Sequence, residues 1–169
     1  EIWERHPEGN EPPIASAALE ALHAVVDGGQ RVVFDGRDEL DALRACTVAE
    51  EFGVEIVLLG SGYEFRRLDE IAAAGAPVIV PLTYPRRPSV DALTSADRTT
   101  LRDMMTWEQG PTNPRRLASA GVTMTLTTAG LDDRADFRER LADAIEHGLD
   151  ERDALAALTT IPAMLLGIE

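Results

Sequence analysis

Four short apolar runs, separated by stretches with helical patterning, constrain this chain more than anything else in it. They are Arg31–Phe34 (RVVF), Val54–Leu59 (VEIVLL), Pro77–Leu82 (PVIVPL) and Val122–Thr128 (VTMTLTT). Each is rich in β-branched residues, and short bounded runs of that kind read as buried strands. Strands covered on both faces show near-continuous apolar sequence, which points to a parallel sheet. Parallel neighbours cannot be joined by a tight turn and need a crossover, usually a helix.

The crossovers are visible. Glu39–Phe52 places Leu40, Leu43, Thr47 and Val48 on one face at helical spacing and stops at Gly53. Glu64–Ala74 stops at Gly75, Pro114–Ala120 is a short helix, and Phe137–His147 ends at Gly148. Asp150–Leu158 is another helix, and Ile161–Ile168 packs back as a tail. Ser16 is placed to cap a first helix over Ala17–Val26. Ser89–Gln109 is the least regular part and is expected as one helix with charged faces. Residues 1–14, with Pro7, Pro12 and Pro13, form an irregular lead-in. The expected class is therefore α/β, a single domain over 1–169 with a parallel sheet of four βα units. Pattern alone leaves open whether that sheet is a flavodoxin-like open one or half of a closed barrel.

Charge and composition narrow the partners. A net charge of −14 and a pI near 4.5 argue against nucleic acid and against an anionic membrane surface. No run approaches the roughly 18 apolar residues of a spanning helix. No signal peptide is visible, no compartment is indicated, and the opening Glu1 reads as a processed, trimmed or longer protein. Cys46 is the single cysteine, so no internal disulfide or thiolate zinc cluster forms, and it reads as a small buried residue. All 16 basic residues are Arg. Without lysine there is no Schiff base, no P-loop lysine and no carbamylated lysine bridging two metals.

Individual motifs each carry two readings. Gly60–Phe65 (GSGYEF) is a partial dinucleotide fingerprint, but Phe65 replaces the last Gly and Leu82-Thr83 stands where an acid is needed, so it reads as a tight strand-to-helix turn. Ser61 lacks a nucleophile-elbow context because Tyr63 occupies the second Gly position. Asp35, ending the first strand, is either a working carboxylate or the cap of the next helix. Tyr84, Arg86 and Arg87 lie just past a strand end, either binding a carboxylate or phosphate or forming a solvated loop. His6, His23 and His147 show no metal-ligand spacing, and His147 suits a helix C-terminus.

The C-terminal stretch carries a resemblance. Gly121-Val122, Thr128-Ala129-Gly130, His147-Gly148-Leu149, Asp153-Ala154-Leu155, Thr159, Pro162-Ala163 and Leu166-Gly167 together resemble the end of the amidohydrolase superfamily, especially its imidazolonepropionase-like members. Upstream, residues 31–80 resemble the fifth, sixth and seventh barrel strands with their helices. The resemblance implies the second half of a (β/α)₈ barrel, hydrolysis of C–N bonds in amides or cyclic amides, and a zinc or other divalent ion at the strand ends. Carried over residue by residue, the metal site is degenerate. Asp35 stands at the fifth-strand His, Gly60 at or beside the sixth-strand His, and Ala129 at the eighth-strand Asp. Strands one to four and the bridging lysine are absent from the sequence. One carboxylate binds a divalent ion weakly, so no metal or other cofactor is expected in this chain. Asp132 and Asp133 suit a helix N-terminus and read as caps.

Asp35 is the best catalytic candidate on this reading. A small ligand at the strand ends would meet Arg37, Gly60, Ser61, Tyr63, Glu64, Tyr84, Ala129 and Gly130. The alternative is a non-catalytic binding or scaffold module of the same fold. Half a barrel also has two open edges, here Arg31–Phe34 and Val122–Thr127, with inward side chains open to water. The expected protein partner is an N-terminal half-barrel or a second copy of the chain.

Overall fold

The computed structural model describes residues 16–168; the lead-in expected over 1–14, with His6, lies outside them. Helix α1 (Ala17–Val26) precedes β1 (Val32–Asp35), α2 (Glu39–Phe52), β2 (Ile56–Leu59), α3 (Leu68–Ala74) and β3 (Val78–Pro81). Next come α4 (Leu93–Ala96), α5 (Leu101–Gln109), α6 (Asn113–Ser119) and β4 (Met124–Thr127). The chain closes with α7 (Phe137–Glu146), α8 (Glu151–Leu158) and α9 (Thr160–Leu166).

The strands form one 4-stranded sheet in the order β1-β2-β3-β4, and every neighbouring pair is parallel. This is the expected α/β class. The sequential order has no switch point, which excludes the flavodoxin-like alternative. It is the order found in half of a (β/α)₈ barrel.

Side chains alternate between the two faces of a strand. The pairings Leu58↔Val78, Val78↔Met124 and Val80↔Leu126 put these residues on one face. They are buried with Ala42 and Ala45 of α2, Ile71 of α3 and Leu117 of α6. The opposite face carries Val33, Val57, Leu59, Ile79 and Thr125. Its exposure is uneven. Val33 on β1 is 59% exposed, whereas Val57 beside it is 4% exposed. At the other margin, Met124, Thr125 and Leu126 are all buried, and α8 and α9 lie against β4. On the inward face of β4, Thr125 is 6% exposed, so the expectation that this strand would open its inward side chains to water is corrected there.

Three local expectations change. Ser16 sits at the cap position of α1, but its side chain makes no cap bond. The helix expected over Glu64–Ala74 begins as a 3₁₀ turn, Glu64–Arg67, before α3. The stretch Ser89–Gln109 is two helices rather than one. Thr100 breaks it, because its hydroxyl accepts from Asp103 N at 3.1 Å while Asp103 accepts from Thr100 N at 2.9 Å. That reciprocal pair starts a new helix.

Candidate functional site

A parallel sheet brings every strand's C-terminal end to one side, and there α/β proteins place their chemistry. On β1, Asp35 is the last strand residue and is exposed. The helix cap is a different acid: Asp38 accepts from Leu40 N at 2.9 Å and Asp41 N at 2.8 Å. The capping reading of Asp35 is thereby corrected, and among the described residues no hydrogen bond or ion pair engages its carboxylate at the strand end. Arg37 points away along α2, pairing with Asp41 at 3.3 Å with its side chain 88% exposed.

After β2 the chain wraps around one buried carboxylate. Glu64 is 1% exposed. Its Oε1 accepts from Ser61 N at 2.6 Å, Ser61 Oγ at 3.1 Å and Gly62 N at 3.1 Å. Its Oε2 accepts from Asn113 Nδ2 at 2.7 Å, and Asn113 Oδ1 in turn accepts from Phe65 N at 2.8 Å. Gly60 faces this carboxylate so closely that a Cβ there would lie 2.6 Å from Glu64 Oε1. Gly60, Ser61 and Glu64 thus form a turn that holds itself together. Beside it, the Arg66 guanidinium lies 4.6 Å from the Tyr63 ring centre and 3.6 Å from Glu39.

The ends of β3 and β4 are built differently, around open space. Thr83, Tyr84, Arg86, Gly130, Asp136 and Arg140 line a cleft of about 400 Å³. A second cleft of about 450 Å³ lies across Tyr84, Arg86, Asp136 and Arg140 and reaches Arg87, Trp107 and Glu139. Tyr84 lines both. It is 6% exposed, and its hydroxyl donates to Arg140 O at 3.5 Å. Burial, with the Asp143 carboxylate adding to it, holds the phenol well above its usual range, so it remains a neutral donor. Gly130 has φ +77°, and a Cβ there would meet Thr83 Cγ2 at 3.1 Å, so glycine keeps the cleft floor open. Ala129 is exposed, and its N–H donates to Thr127 Oγ1 at 3.1 Å. Asp133 caps the following turn, accepting from Ala135 N at 2.8 Å.

The structure therefore brings Tyr84 and Gly130 together and leaves Asp35, Arg37 and the Gly60–Glu64 turn outside that cleft. Sequence reasoning missed Trp107, Asp136, Glu139 and Arg140. A signal exists for Asp136 and Arg140. Asp136, Arg140 and Asp143 recur at i, i+4 and i+7, the spacing of one helix stripe.

Of the three positions the resemblance points to, only Asp35 offers a ligand atom. At Gly60 a histidine has no room beside Glu64. Among the described residues no group of 3 or more His, Cys, Asp and Glu side chains is placed to hold a metal. His23 lies exposed on α1, and His147 Nδ1 lies 3.0 Å from Asp143. A larger cavity, about 960 Å³, touches Cys46 and Pro77 at the opposite, N-terminal side of the sheet. In barrels of this kind that side carries stability rather than chemistry.

The fold is similar to a crystal structure of an amidohydrolase from Thermotoga maritima MSB8, with a TM-score of 0.68 and 24% sequence identity. The likeness covers 96% of this chain and 39% of that one. No family model matches the sequence, and no curated protein matches it. At this identity the likeness establishes the fold: the chain has an amidohydrolase-like α/β fold and spans 39% of the length of the amidohydrolase it resembles.

Proposed function

We propose that this chain is a divergent amidohydrolase-like protein that binds a small molecule at the ends of β3 and β4. The carrying observation is the pair of clefts that share Tyr84, Arg86, Asp136 and Arg140 on the side of the sheet where this fold class places its sites. Their volumes, about 400 and 450 Å³, suit a small molecule. The reaction class offered by the amidohydrolase likeness is hydrolysis of non-peptide C–N bonds.

A second reading, binding without turnover, is favoured by the donor set at Asp35, Gly60 and Ala129. Removing the acid at the last strand end removes both an ion's ligand and the group that deprotonates attacking water. Three measurements test these readings. Amide-proton NMR with a fragment library should show shifts clustered at Thr83, Tyr84 and Gly130; shifts confined to the cavity around Cys46 would sink the strand-end site. A panel of N-acyl and cyclic amides then decides turnover. Elemental analysis of protein purified without chelator should give well under one zinc per chain, and a stoichiometric ion bound by Asp35 would refute the degenerate metal site.

The protein partner proposed with this fold is an N-terminal half-barrel or a second copy, seated beside β1, where Val33 is 59% and Phe34 39% exposed.

A further inference from the structure

We infer that the cleft bounded by Arg86, Asp136 and Arg140 recognises a small zwitterion, an amino acid or a molecule with the same pair of charges. This rests on reading the strand ends as a small-molecule site and adds the class of ligand.

The observation is how the charges stand. Arg86, Arg87 and Arg140 line one cleft with Asp136 and Glu139. Among the described residues, none of these side chains forms an ion pair. A further acid of the cleft, Asp143, is engaged by His147 at 3.0 Å. Two of the arginines lie beside aromatic rings. The Arg87 guanidinium lies 5.8 Å from the Trp107 ring centre, and that of Arg140 lies 6.0 Å from the Tyr84 ring centre. A guanidinium beside a ring still offers its N–H edge to a carboxylate, which it meets with two parallel hydrogen bonds. The two acids offer the complementary place for an ammonium group. A ligand with only a negative end would approach Asp136 and Glu139 with nothing to offset their charge. A ligand with only a positive end would leave the arginines unmatched. Phosphate, larger in charge and without a cation, is disfavoured on the same ground. A cleft of about 450 Å³ accommodates a molecule of amino-acid size.

The test reads Trp107, which lines the cleft. In a Trp3→Phe chain it is the sole tryptophan. Each common amino acid is titrated against its fluorescence. The best responder is then compared with its des-amino acid, its decarboxylated amine and inorganic phosphate. The expected result is that the amino acid binds about tenfold or more tighter than any of these. Arg86→Ala and Asp136→Asn should each weaken it about tenfold. Both should melt with the parent chain. The proposal is overturned if no amino acid moves Trp107, if a singly charged analogue binds as tightly, or if both variants bind like the parent. Phosphate or a singly charged analogue binding best would leave the small-molecule reading standing and remove only this one. If no ligand of any charge moves Trp107, and the fragment library shifts nothing at the strand ends, both fall.

Discussion

Glu64 shows what a buried carboxylate does when it serves the fold instead of a ligand. Its two oxygens take bonds from Ser61, Gly62 and Asn113, and truncating it leaves those donors without partners inside the protein. Each orphaned donor costs about 1–3 kcal/mol, so Glu64→Ala should lose about 3 kcal/mol or more in urea unfolding. Glu64→Gln is the sharper test. Asn113 cannot turn its amide to suit a second NH₂ group, because its oxygen already accepts from Phe65 N. The glutamine should therefore cost about 1–3 kcal/mol although its shape is nearly unchanged. A Gln variant as stable as the parent would refute this network. Asp38 behaves differently, since it is open to water. The bond from Asp41 N is foremost in lowering its carboxyl below the ordinary 3.8, helped by the bond from Leu40 N and by Arg44 and Arg37, with partial desolvation opposing them. A carboxyl whose folded value lies below its unfolded one stabilises the protein above the unfolded value. That stabilisation is lost as the pH falls past 3.8 through the folded value. Asp38→Asn should remove this part of the acid dependence, so its melting temperature falls less steeply than the parent's below 3.8. Equal slopes would count against the cap.

Among the elements, the strands were legible and the clefts were not. Leu58, Val78 and Val80 read as strand because they are buried, and burial selects the apolar β-branched runs visible in sequence. Asp136, Glu139 and Arg140 escaped because charged positions on a helix ordinarily mean a solvated face. Only the fold of β3 and its loop brings Tyr84 and Arg86 against them. Gly60 and Ala129 were legible as strand-end positions without a ligand side chain, since that can be read directly. The reason Gly60 tolerates nothing larger, the Glu64 carboxylate 2.6 Å from any Cβ, arises only once the turn folds back on itself. The break between α4 and α5 also escaped, because no Gly or Pro marks it. It depends on the Thr100–Asp103 pair. Thr100→Ala should therefore cost about 1 kcal/mol and fray α5 from its start. Hydrogen exchange at Met104 and Met105 should speed up while β3 stays protected; an unchanged rate would mean that packing, not the cap, begins this helix.

At the scale of the molecule, the two margins of the sheet differ. Beside β4, helices α8 and α9 lie against the strand, and Met124, Thr125 and Leu126 are buried. On the β1 side, Val33 and Phe34 of the strand lie open. Helix α1 has no buried residue, and its Leu19, Leu22 and Val26 are each more than half exposed. Covering an apolar side chain of this size is worth about 1.5–3 kcal/mol. Several such side chains together rival the whole stability of a domain, about 5–15 kcal/mol. Among the described residues, strand β1 has a hydrogen-bonding neighbour on one side only, β2, with no charge or proline within Val32–Phe34 to discourage pairing. The 18.3 kDa chain on its own is therefore expected to associate through its β1 side. Sedimentation equilibrium should give an average mass that rises with concentration, and the melting temperature should rise with it. Phe34→Glu, which sets a charge on that strand, should return the mass to one chain, whereas a charge placed on exposed Leu155 of α8 should not. A sharp monomer at every concentration, with a melt that does not depend on it, would show that the β1 margin needs no partner.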